Sequence, residues 1–293
     1  MSQPAQLGES GLLVVDKQAG LTSHQVVARC RRLLGTRKVG HAGTLDPMAT
    51  GVLLVGVNRA TRLLGHLALH DKSYRATIRL GASTLTDDAE GEVLAVTDAS
   101  AVDDEQILRG VEGLSGEIMQ VPSSVSAIKI DGRRSYARVR NGEDVDLPAR
   151  PVTVSRFDVL SSRRHEGFID LDVEVDCSKG TYIRALARDL GAGLGVGGHL
   201  TALRRTRIGA YTLDDAVVLG DSAPGLMDMA QAARLSFDVV TVDSAQRAQV
   251  LVGRPLEMSL DSAPTGLIDE SGQLIALYEP AGPGLARPIA VLA

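Results

Sequence analysis

Strand-like and helix-like patterns follow one another irregularly along this 293-residue chain, and this order limits its fold more than any other feature. Val52 to Val57 form an apolar run of the length of a buried strand, and Ser73 to Leu80 alternate like a half-buried strand. His24 to Leu34 carry apolar residues at helical spacing after the capping pair Thr22-Ser23. The patterns also predict an irregular segment over 38–50, a helix over 60–69 and a strand over 152–160. Because strands and helices do not alternate strictly, the order predicts an α+β fold rather than a doubly wound parallel sheet.

The composition, 44% apolar and 23% charged, is ordinary for a globular protein and excludes wholesale disorder. The apolar runs are far shorter than the roughly 20 residues that span a bilayer, and no basic leader opens the chain, so we expect neither a membrane segment nor a signal peptide. Cys30 and Cys177 lack a CxxC partner, which predicts two reduced thiols in the cytoplasm. The chain becomes acidic and Gly/Pro-punctuated after residue 228, which predicts a main domain over 1–228 and a small β-rich domain over 229–293.

The net charge of −5 conceals a strong segregation of charge along the chain. Residues 1–80 carry +7 and residues 121–164 carry +4, whereas residues 81–120 carry −9 and residues 211–293 carry −7. A local basic face binds phosphates whatever the net charge, because screening limits the interaction to roughly 8–10 Å. The alternative is a solvated surface whose uneven charge has no function.

Several short motifs lack the context that their chemistry needs. The glycines of GAGLGVGG (191–198) follow a helix pattern instead of a strand, so we interpret them as a helix end and loop rather than a dinucleotide site. SAIK (126–129) matches the serine acylase signature but lacks its partner motifs. The six histidines have no ligand spacing, and we predict no metal site.

The segment KVGHAGTLDPMATG (38–51) carries the clearest chemical signal. Its three glycines allow close approach to the backbone, and a loop between apolar strands is a favourable place for a functional carboxylate such as Asp46. The alternative is structural, with Asp46 as a helix N-cap and Pro47 at the first helical position.

GHAGTLDPMATG (40–51) resembles the catalytic signature of the TruB family of RNA pseudouridine synthases. Other blocks that resemble the family follow in order over roughly residues 10–215: GLLVVDKQAGLTSHQVV, KSYRATIRLG, VPSSVSAIKIDGRRSYARVRNGE, CSKGTYIRALARDLG and HLTALRRTRIG. The resemblance implies a mixed, mostly antiparallel central sheet flanked by helices, an RNA-binding insertion over about 121–150, and a C-terminal PUA-like domain. The C-terminal part resembles the family less well.

The resemblance also implies an activity: isomerisation of the T-loop uridine at tRNA position 55 to pseudouridine, without a cofactor or metal. The reaction detaches the base from N1, rotates it and rejoins it through C5, which needs a nucleophile and a base for the C5 proton. Asp46 matches the nucleophile, because a carboxylate is ionised at neutral pH and can add to carbon and leave again. Attack at C1′ of the ribose and attack at C6 of the base both stay open.

The other matched residues are expected to bind the substrate. Tyr74 is expected to stack on the extruded uracil, Tyr182 and Leu203 to line the pocket, and Arg184 to pair with the Asp46 carboxylate. The remaining expectations concern His41, which would help to displace the target nucleotide, and Lys17, which would support the catalytic loop.

The basic segments are expected to contact phosphates of the tRNA T-arm, positioning the RNA rather than specifying its sequence. The residues concerned are Arg32, Arg37 and Lys38 beside the catalytic loop, and Lys129, Arg133 and Arg134 in the insertion. We expect a monomer. Three alternatives stay open: another RNA uridine as substrate, a non-catalytic RNA-binding protein on the same scaffold, and a small-molecule α+β enzyme.

Overall fold

The computed structural model describes residues 8–123 and 147–292, together with the backbone of residues 129–130 and 133–134. The strands are β1 (Gly11–Lys17), β2 (Val39–Ala42), β3 (Thr50–Val57), β4 (Lys72–Leu80), β5 (Ala82–Thr84), β6 (Val93–Val96), β7 (Gly116–Gln120), β8 (Lys129–Ile130), β9 (Arg133–Arg134), β10 (Arg150–His165), β11 (Phe168–Cys177), β12 (Gly198–Ile208), β13 (Tyr211–Thr212), β14 (Asp238–Val242), β15 (Thr265–Asp269), β16 (Leu274–Gly282) and β17 (Leu285–Val291). The α-helices are α1 (Ser23–Leu33), α2 (Leu64–Leu67), α3 (Asp104–Gly113), α4 (Ile183–Gly193), α5 (Met229–Ser236) and α6 (Ser244–Leu251).

The chain divides into two compact units, one comprising Met1–His70 and Arg207–Ala293 and the other Asp71–Thr206. The first is called the Asp46 unit below, and the second the Tyr74 unit. The two units are defined by their compactness alone, and the predicted domain boundary at residue 228 stays a prediction.

In the Asp46 unit, β1 and β2 each pair antiparallel with β3. One face of β1 and β3, with Leu13 and Leu53, packs against the apolar side of α1. The other face, with Leu12 and Leu54, packs against α2, α5 and residues of the C-terminal strands. Burial on both faces explains the continuous apolar runs of these two strands.

The free edge of β1 is covered by the segment that follows β13. Val217 exchanges backbone hydrogen bonds with Val14 and Asp16, and Met227 does so with Leu12. The C-terminal strands form a separate four-stranded sheet in the order β14-β15-β16-β17, parallel between β14 and β15 and antiparallel elsewhere. This confirms a β-rich end of the chain.

In the Tyr74 unit, the strands lie in the order β12-β4-β11-β10-β7. Strand β11 pairs antiparallel with β4 and β10, and β10 pairs antiparallel with β7. Tyr74 lies opposite Val175 on β11, and Arg150 of β10 lies opposite Gln120 of β7. Helix α3 begins with a capping box at Asp103, and its Gly110 lies so close to α4 that an added Cβ would stand 2.7 Å from Leu190.

The predicted α+β class with a mostly antiparallel central sheet is confirmed, and three local predictions need correction. Residues 39–42, expected to be irregular, form β2, because pairing with β3 stabilises a strand that its glycine-containing sequence disfavours. Strand β10 runs on past Leu160 to His165 through charged residues. The helix expected over 60–69 is a 3₁₀ turn (Asn58–Arg62) followed by the short α2.

Across the described ranges, no helix combines the length and apolar character needed to cross a membrane.

Candidate active site

Asp46 lies half-buried in the loop that joins the paired strands β2 and β3. The next residues form no helix: the N–H of Ala49 donates to the carbonyl of Asp46 at 3.1 Å, and the chain enters β3 at Thr50. The alternative interpretation of Asp46 as a helix N-cap is therefore wrong. Gly43 and Gly51, at φ of 72° and 99°, allow the loop to turn at both ends.

Lys17 stabilises the loop that carries Asp46. Its side chain is only 1% exposed, and its ammonium donates to the carbonyl oxygens of Gln18 at 3.1 Å, Leu21 at 2.6 Å and Pro47 at 3.2 Å. A buried ammonium is tolerated only when such bonds replace its water. Lys17 thus ties the residue after Asp46 to the turn after β1, as its expected supporting role requires.

Ser23 holds the same loop from the other side. Its buried hydroxyl donates to the carbonyl of Leu45 at 3.1 Å and accepts from the N–H of Leu45 at 3.0 Å. Leu45 immediately precedes Asp46, so the backbone is fixed on both sides of the carboxylate. The sequence suggested only a capping function for Ser23, because its contact lies 22 residues away.

His41, at the end of β2, packs edge-to-face against His24 of α1. The two ring centroids are 5.4 Å apart, and the ring planes meet at 80°. His24 is exposed and His41 half-buried, so a pair of imidazoles stands at the edge of the Asp46 unit. This ring contact joins α1 to β2, and the periodicity of the sequence did not indicate it.

Tyr74 is buried on β4, on the same face as Ala76, Ile78 and Leu80, as its alternation predicts. Lys72 shares that face and is also buried. Burial, together with the smaller effect of the nearby Arg205 guanidinium, lowers the pKa of Lys72 to about 8.

Arg205 and Leu203 are both buried on β12. Leu203 was expected in the site, whereas Lys72 and Arg205 were missed. Each of these cations lies close to an expected site residue in the sequence, Lys72 in DKSY with Tyr74 and Arg205 in LRRT with Leu203. This proximity is the sequence signal that could have identified them.

Arg184 is buried in the first turn of α4, where its guanidinium donates to the carbonyl of Thr86 at 2.9 Å. The same guanidinium lies 3.4 Å from the Asp88 carboxylate, which is also buried. The sequence predicted Asp46 as its partner and missed Asp88. Asp46 and Arg184 belong to different compact units, and their pairing stays a prediction.

Tyr182 is the N-cap residue immediately before α4, two residues before Arg184. Its backbone N–H and carbonyl are both bonded to the side chain of Gln120, at 2.8 and 3.1 Å. In the Tyr74 unit, the fold therefore brings Tyr182 and Arg184 together at one helix start, beside the turn that carries Asp88.

The predicted phosphate contacts Arg32, Arg37 and Lys38 are all exposed in the Asp46 unit. Lys38 also lines a cavity of about 460 Å³ whose other polar lining comes from Ser10, Asn58, Arg59, Thr61 and Arg62. Arg59 and Arg62 were missed by the sequence, because they lie in a short 3₁₀ turn with no motif around it. Lys129, Arg133 and Arg134 lie in the paired strands β8 and β9, and their side chains fall outside the described residues.

Among the residues that the structure describes, no cluster of three or more His, Cys, Asp or Glu side chains is arranged to hold a metal ion.

Known proteins with similar sequences point to one family. Residues 31–183 match the TruB family pseudouridylate synthase N-terminal domain, and residues 184–231 match the tRNA pseudouridylate synthase B C-terminal domain. The tRNA pseudouridine synthase B of Cutibacterium acnes is 61% identical over 290 residues, covering 97% of this chain and 98% of the relative. The enzyme of the same name from Corynebacterium efficiens is 58% identical over 289 residues, covering 98% and 97%.

A solved structure supports the same assignment. A chain in the crystal structure of a Cbf5-Nop10-Gar1 complex matches with a TM-score of 0.72 and 26% identity, covering 97% of this chain and 85% of that chain. The match confirms the pseudouridine synthase fold. By the family models and its near full-length relatives, this chain belongs to the TruB family of pseudouridine synthases and is an isomerase.

Proposed function

We propose that this protein converts the T-loop uridine at tRNA position 55 to pseudouridine, with Asp46 as the nucleophile. The observation that carries the proposal is the Asp46 loop itself. Lys17 and Ser23 fix the backbone on both sides of Asp46, and the carboxylate-bearing residue caps no helix. A loop that is fixed by hydrogen bonds on both sides suits a carboxylate that must meet a reacting carbon in a defined orientation.

The reaction requires that the bond between uracil N1 and ribose C1′ breaks and a bond between C5 and C1′ forms. The proton at C5 leaves, and N1 gains one, so atoms and charge balance without a cofactor. Asp46 adds to the substrate and is released again, which turns one difficult step into two easier ones. Addition at C1′ and addition at C6 both agree with this balance.

The substrate contacts follow from the residues that match the family motifs. Tyr74 stacks on the uracil, Tyr182 and Leu203 enclose it, Arg184 compensates the carboxylate charge, and His41 displaces the nucleotide from the T-loop. Stacking on an aromatic ring stabilises a bound base by about 1–3 kcal/mol. Leu203 contributes by excluding water.

The basic residues of the Asp46 unit bind phosphates of the T-arm. Arg59 and Arg62 join Lys38 in this role, because three cations and several hydroxyl and amide groups line one cavity. We further propose that the protein acts as a monomer in the cytoplasm.

The test uses two T-arm stem-loop RNAs that differ only at the target position, one with uridine and one with cytidine. After incubation with the wild-type protein, nucleosides are released and pseudouridine is quantified. We expect one pseudouridine per uridine RNA and none in the cytidine RNA. Equal pseudouridine in both would overturn the assignment to position 55, and none in either, with tight binding, would favour another RNA uridine or a binding protein.

A further inference from the structure

Gln120 stands at the end of β7, where the chain leaves the sheet. Its side chain is 2% exposed and forms two hydrogen bonds with the backbone of Tyr182. The Gln120 Nε2 donates to the Tyr182 carbonyl at 3.1 Å, and the Tyr182 N–H donates to Oε1 at 2.8 Å. These two residues lie 62 positions apart in the sequence.

These two hydrogen bonds between one carboxamide and one residue fix the direction of the backbone at Tyr182. A carboxamide offers a donor and an acceptor in one plane, so it can grip both polar groups of the same residue. Tyr182 precedes α4 with φ of −105° and ψ of 111°, and no side-chain hydrogen bond caps that helix. Gln120 therefore fixes the backbone before α4, as a capping side chain would otherwise do, and this sets the direction in which the Cα–Cβ bond of Tyr182 leaves the chain.

A second contact holds the same stretch to α4. Arg188 donates to the carbonyl of Val121, the neighbour of Gln120, at 2.7 Å, and its guanidinium lies 3.4 Å from the Asp87 carboxylate. The end of β7 is thus tied to α4 at Tyr182 and again at Arg188. Between these points lies Arg184, bonded to the carbonyl of Thr86 in the turn that contains Asp87.

We propose that Gln120 is a positioning residue for the isomerisation, acting by holding Tyr182 in the direction that encloses the uridine. This inference rests on the proposed function for the role of Tyr182. Gln120 itself does not touch the substrate. A displacement of a substrate-positioning group by about 1 Å can slow a reaction by about a hundredfold. Loss of the two hydrogen bonds to Tyr182 therefore affects the rate more than the affinity for RNA.

Two substitutions distinguish the contributions of the two hydrogen bonds between Gln120 and Tyr182. Gln120→Leu keeps the approximate volume and removes both bonds, whereas Gln120→Glu keeps an acceptor for the Tyr182 N–H and loses the donor while ionised. The matched control is Val152→Ala on β10. Val152 is buried and pairs with Ile118 of the same strand β7, so it perturbs the sheet without altering the bonds to Tyr182.

Two readouts are compared among proteins labelled with 3-fluorotyrosine. The ¹⁹F resonance of Tyr182, identified by its loss in Tyr182→Phe, reports its environment, with Tyr211 and Tyr278 as internal references. Single-turnover tritium release from T-arm RNA labelled at uracil C5 reports the rate, and the Kd for that RNA is measured in parallel.

We expect Gln120→Leu to shift the Tyr182 resonance alone and to lower the single-turnover rate at least tenfold, with Kd within twofold of the wild type. Gln120→Glu should recover part of the rate, and Val152→Ala should lose stability but neither rate nor resonance. An unmoved Tyr182 resonance, or the same rate loss in Val152→Ala, would overturn the inference. A wild type without tritium release would refute the proposed function instead, while the resonance would still decide whether Gln120 positions Tyr182.

Discussion

At the residue scale, the site depends on buried polar side chains that each serve the backbone of another segment. Lys17 and Ser23 hold the loop of Asp46, and Gln120 holds Tyr182. Loop glycines are a local signal that made Asp46 a candidate, and strand alternation predicted the buried face of Tyr74. The role of Tyr74 at the substrate was implied only by the family resemblance and stays a prediction. Gln120 and Asp88 were missed, because their partners lie 62 residues or more away and no periodicity connects them.

Lys17→Met should destabilise the protein. The methionine fills similar space but leaves three carbonyl oxygens without their charged donor, and we expect a loss of about 2–3 kcal/mol in the free energy of unfolding. Urea unfolding at pH 7 measures it, with Lys179→Met, at an exposed lysine, as the control. A loss no greater than that of the control would show that the ammonium does not stabilise the loop.

Lys72 predicts a dependence of stability on pH. Its pKa of about 8 in the folded protein lies below that of an unfolded lysine, so the unfolded state binds more protons between these values. The contribution of Lys72 to stability therefore rises as pH increases from about 8 towards 10. We expect the free energy of unfolding of the wild type to rise relative to that of Lys72→Met between pH 7 and pH 9.5, measured by urea unfolding. A difference between the two proteins that is independent of pH would contradict the lowered pKa.

At the element scale, the outward face of β11 carries a ladder of carboxylates that explains the length of β10. Asp170 pairs with Arg79 of β4 at 2.7 Å, and Asp172 pairs with Arg163 of β10. These arginines are engaged by carboxylates of their own sheet, so this face is a poor phosphate-binding surface despite its basic residues. The sequence could not show this, because Arg156 and Arg163 of β10 pair with Glu174 and Asp172 of a different strand, β11.

The ladder predicts sensitivity to acid. Hydrogen bonds from Arg163, Thr77 and Ser161 hold the pKa of Asp172 at about 2, below its ordinary value. A lowered carboxyl pKa stabilises the fold above the unfolded pKa near 4, and this stability is lost as pH falls towards 2. Because the pair is partly exposed, we expect its share to be at most about 1 kcal/mol. Asp172→Asn should reduce the loss of stability between pH 5 and pH 2.5, measured by urea midpoints, and an unchanged loss would count against the ladder.

Two glycines of the GAGLGVGG segment provide a matched pair of substitutions. A Cβ on Gly191 would stand 2.2 Å from backbone atoms of Gly197 and Gly198, whereas a Cβ on Gly193 would meet nothing within 4 Å. We expect Gly191→Ala to cost about 3 kcal/mol or to prevent folding, and Gly193→Ala to be neutral or stabilising by up to about 1 kcal/mol. Thermal unfolding compares them. Similar effects of the two substitutions would contradict the close contact of α4 with the start of β12.

At the scale of the whole molecule, the segregated charge agrees with an RNA-binding enzyme. The chain is acidic overall, yet Lys38, Arg59 and Arg62 line one cavity in the Asp46 unit. The α+β class followed from the order of patterns along the chain. The pairing of β2 with β3 and the covering of β1 by residues 217–227 did not, because they depend on contacts between distant segments.

Binding of the T-arm RNA should weaken steeply with salt. Each phosphate contact to a single strand changes the slope of log K against log salt by about 0.7. We expect Arg62→Gln to reduce the slope by about that amount and to weaken binding, with Arg234→Gln, an exposed arginine of α5, as the control. A slope that is flat in the wild type, or unchanged in Arg62→Gln, would exclude this cavity from the RNA interface.

The most direct test of the account compares tritium release from T-arm RNA labelled at uracil C5 by the wild type, Asp46→Asn and Asp221→Asn. Pseudouridine formation must expel the hydrogen at C5, and Asp221 is an exposed carboxylate that pairs only with Arg29 among the described residues. We predict release by the wild type and by Asp221→Asn, and none by Asp46→Asn with RNA binding retained. Equal release by Asp46→Asn and the wild type would show that Asp46 is not the nucleophile.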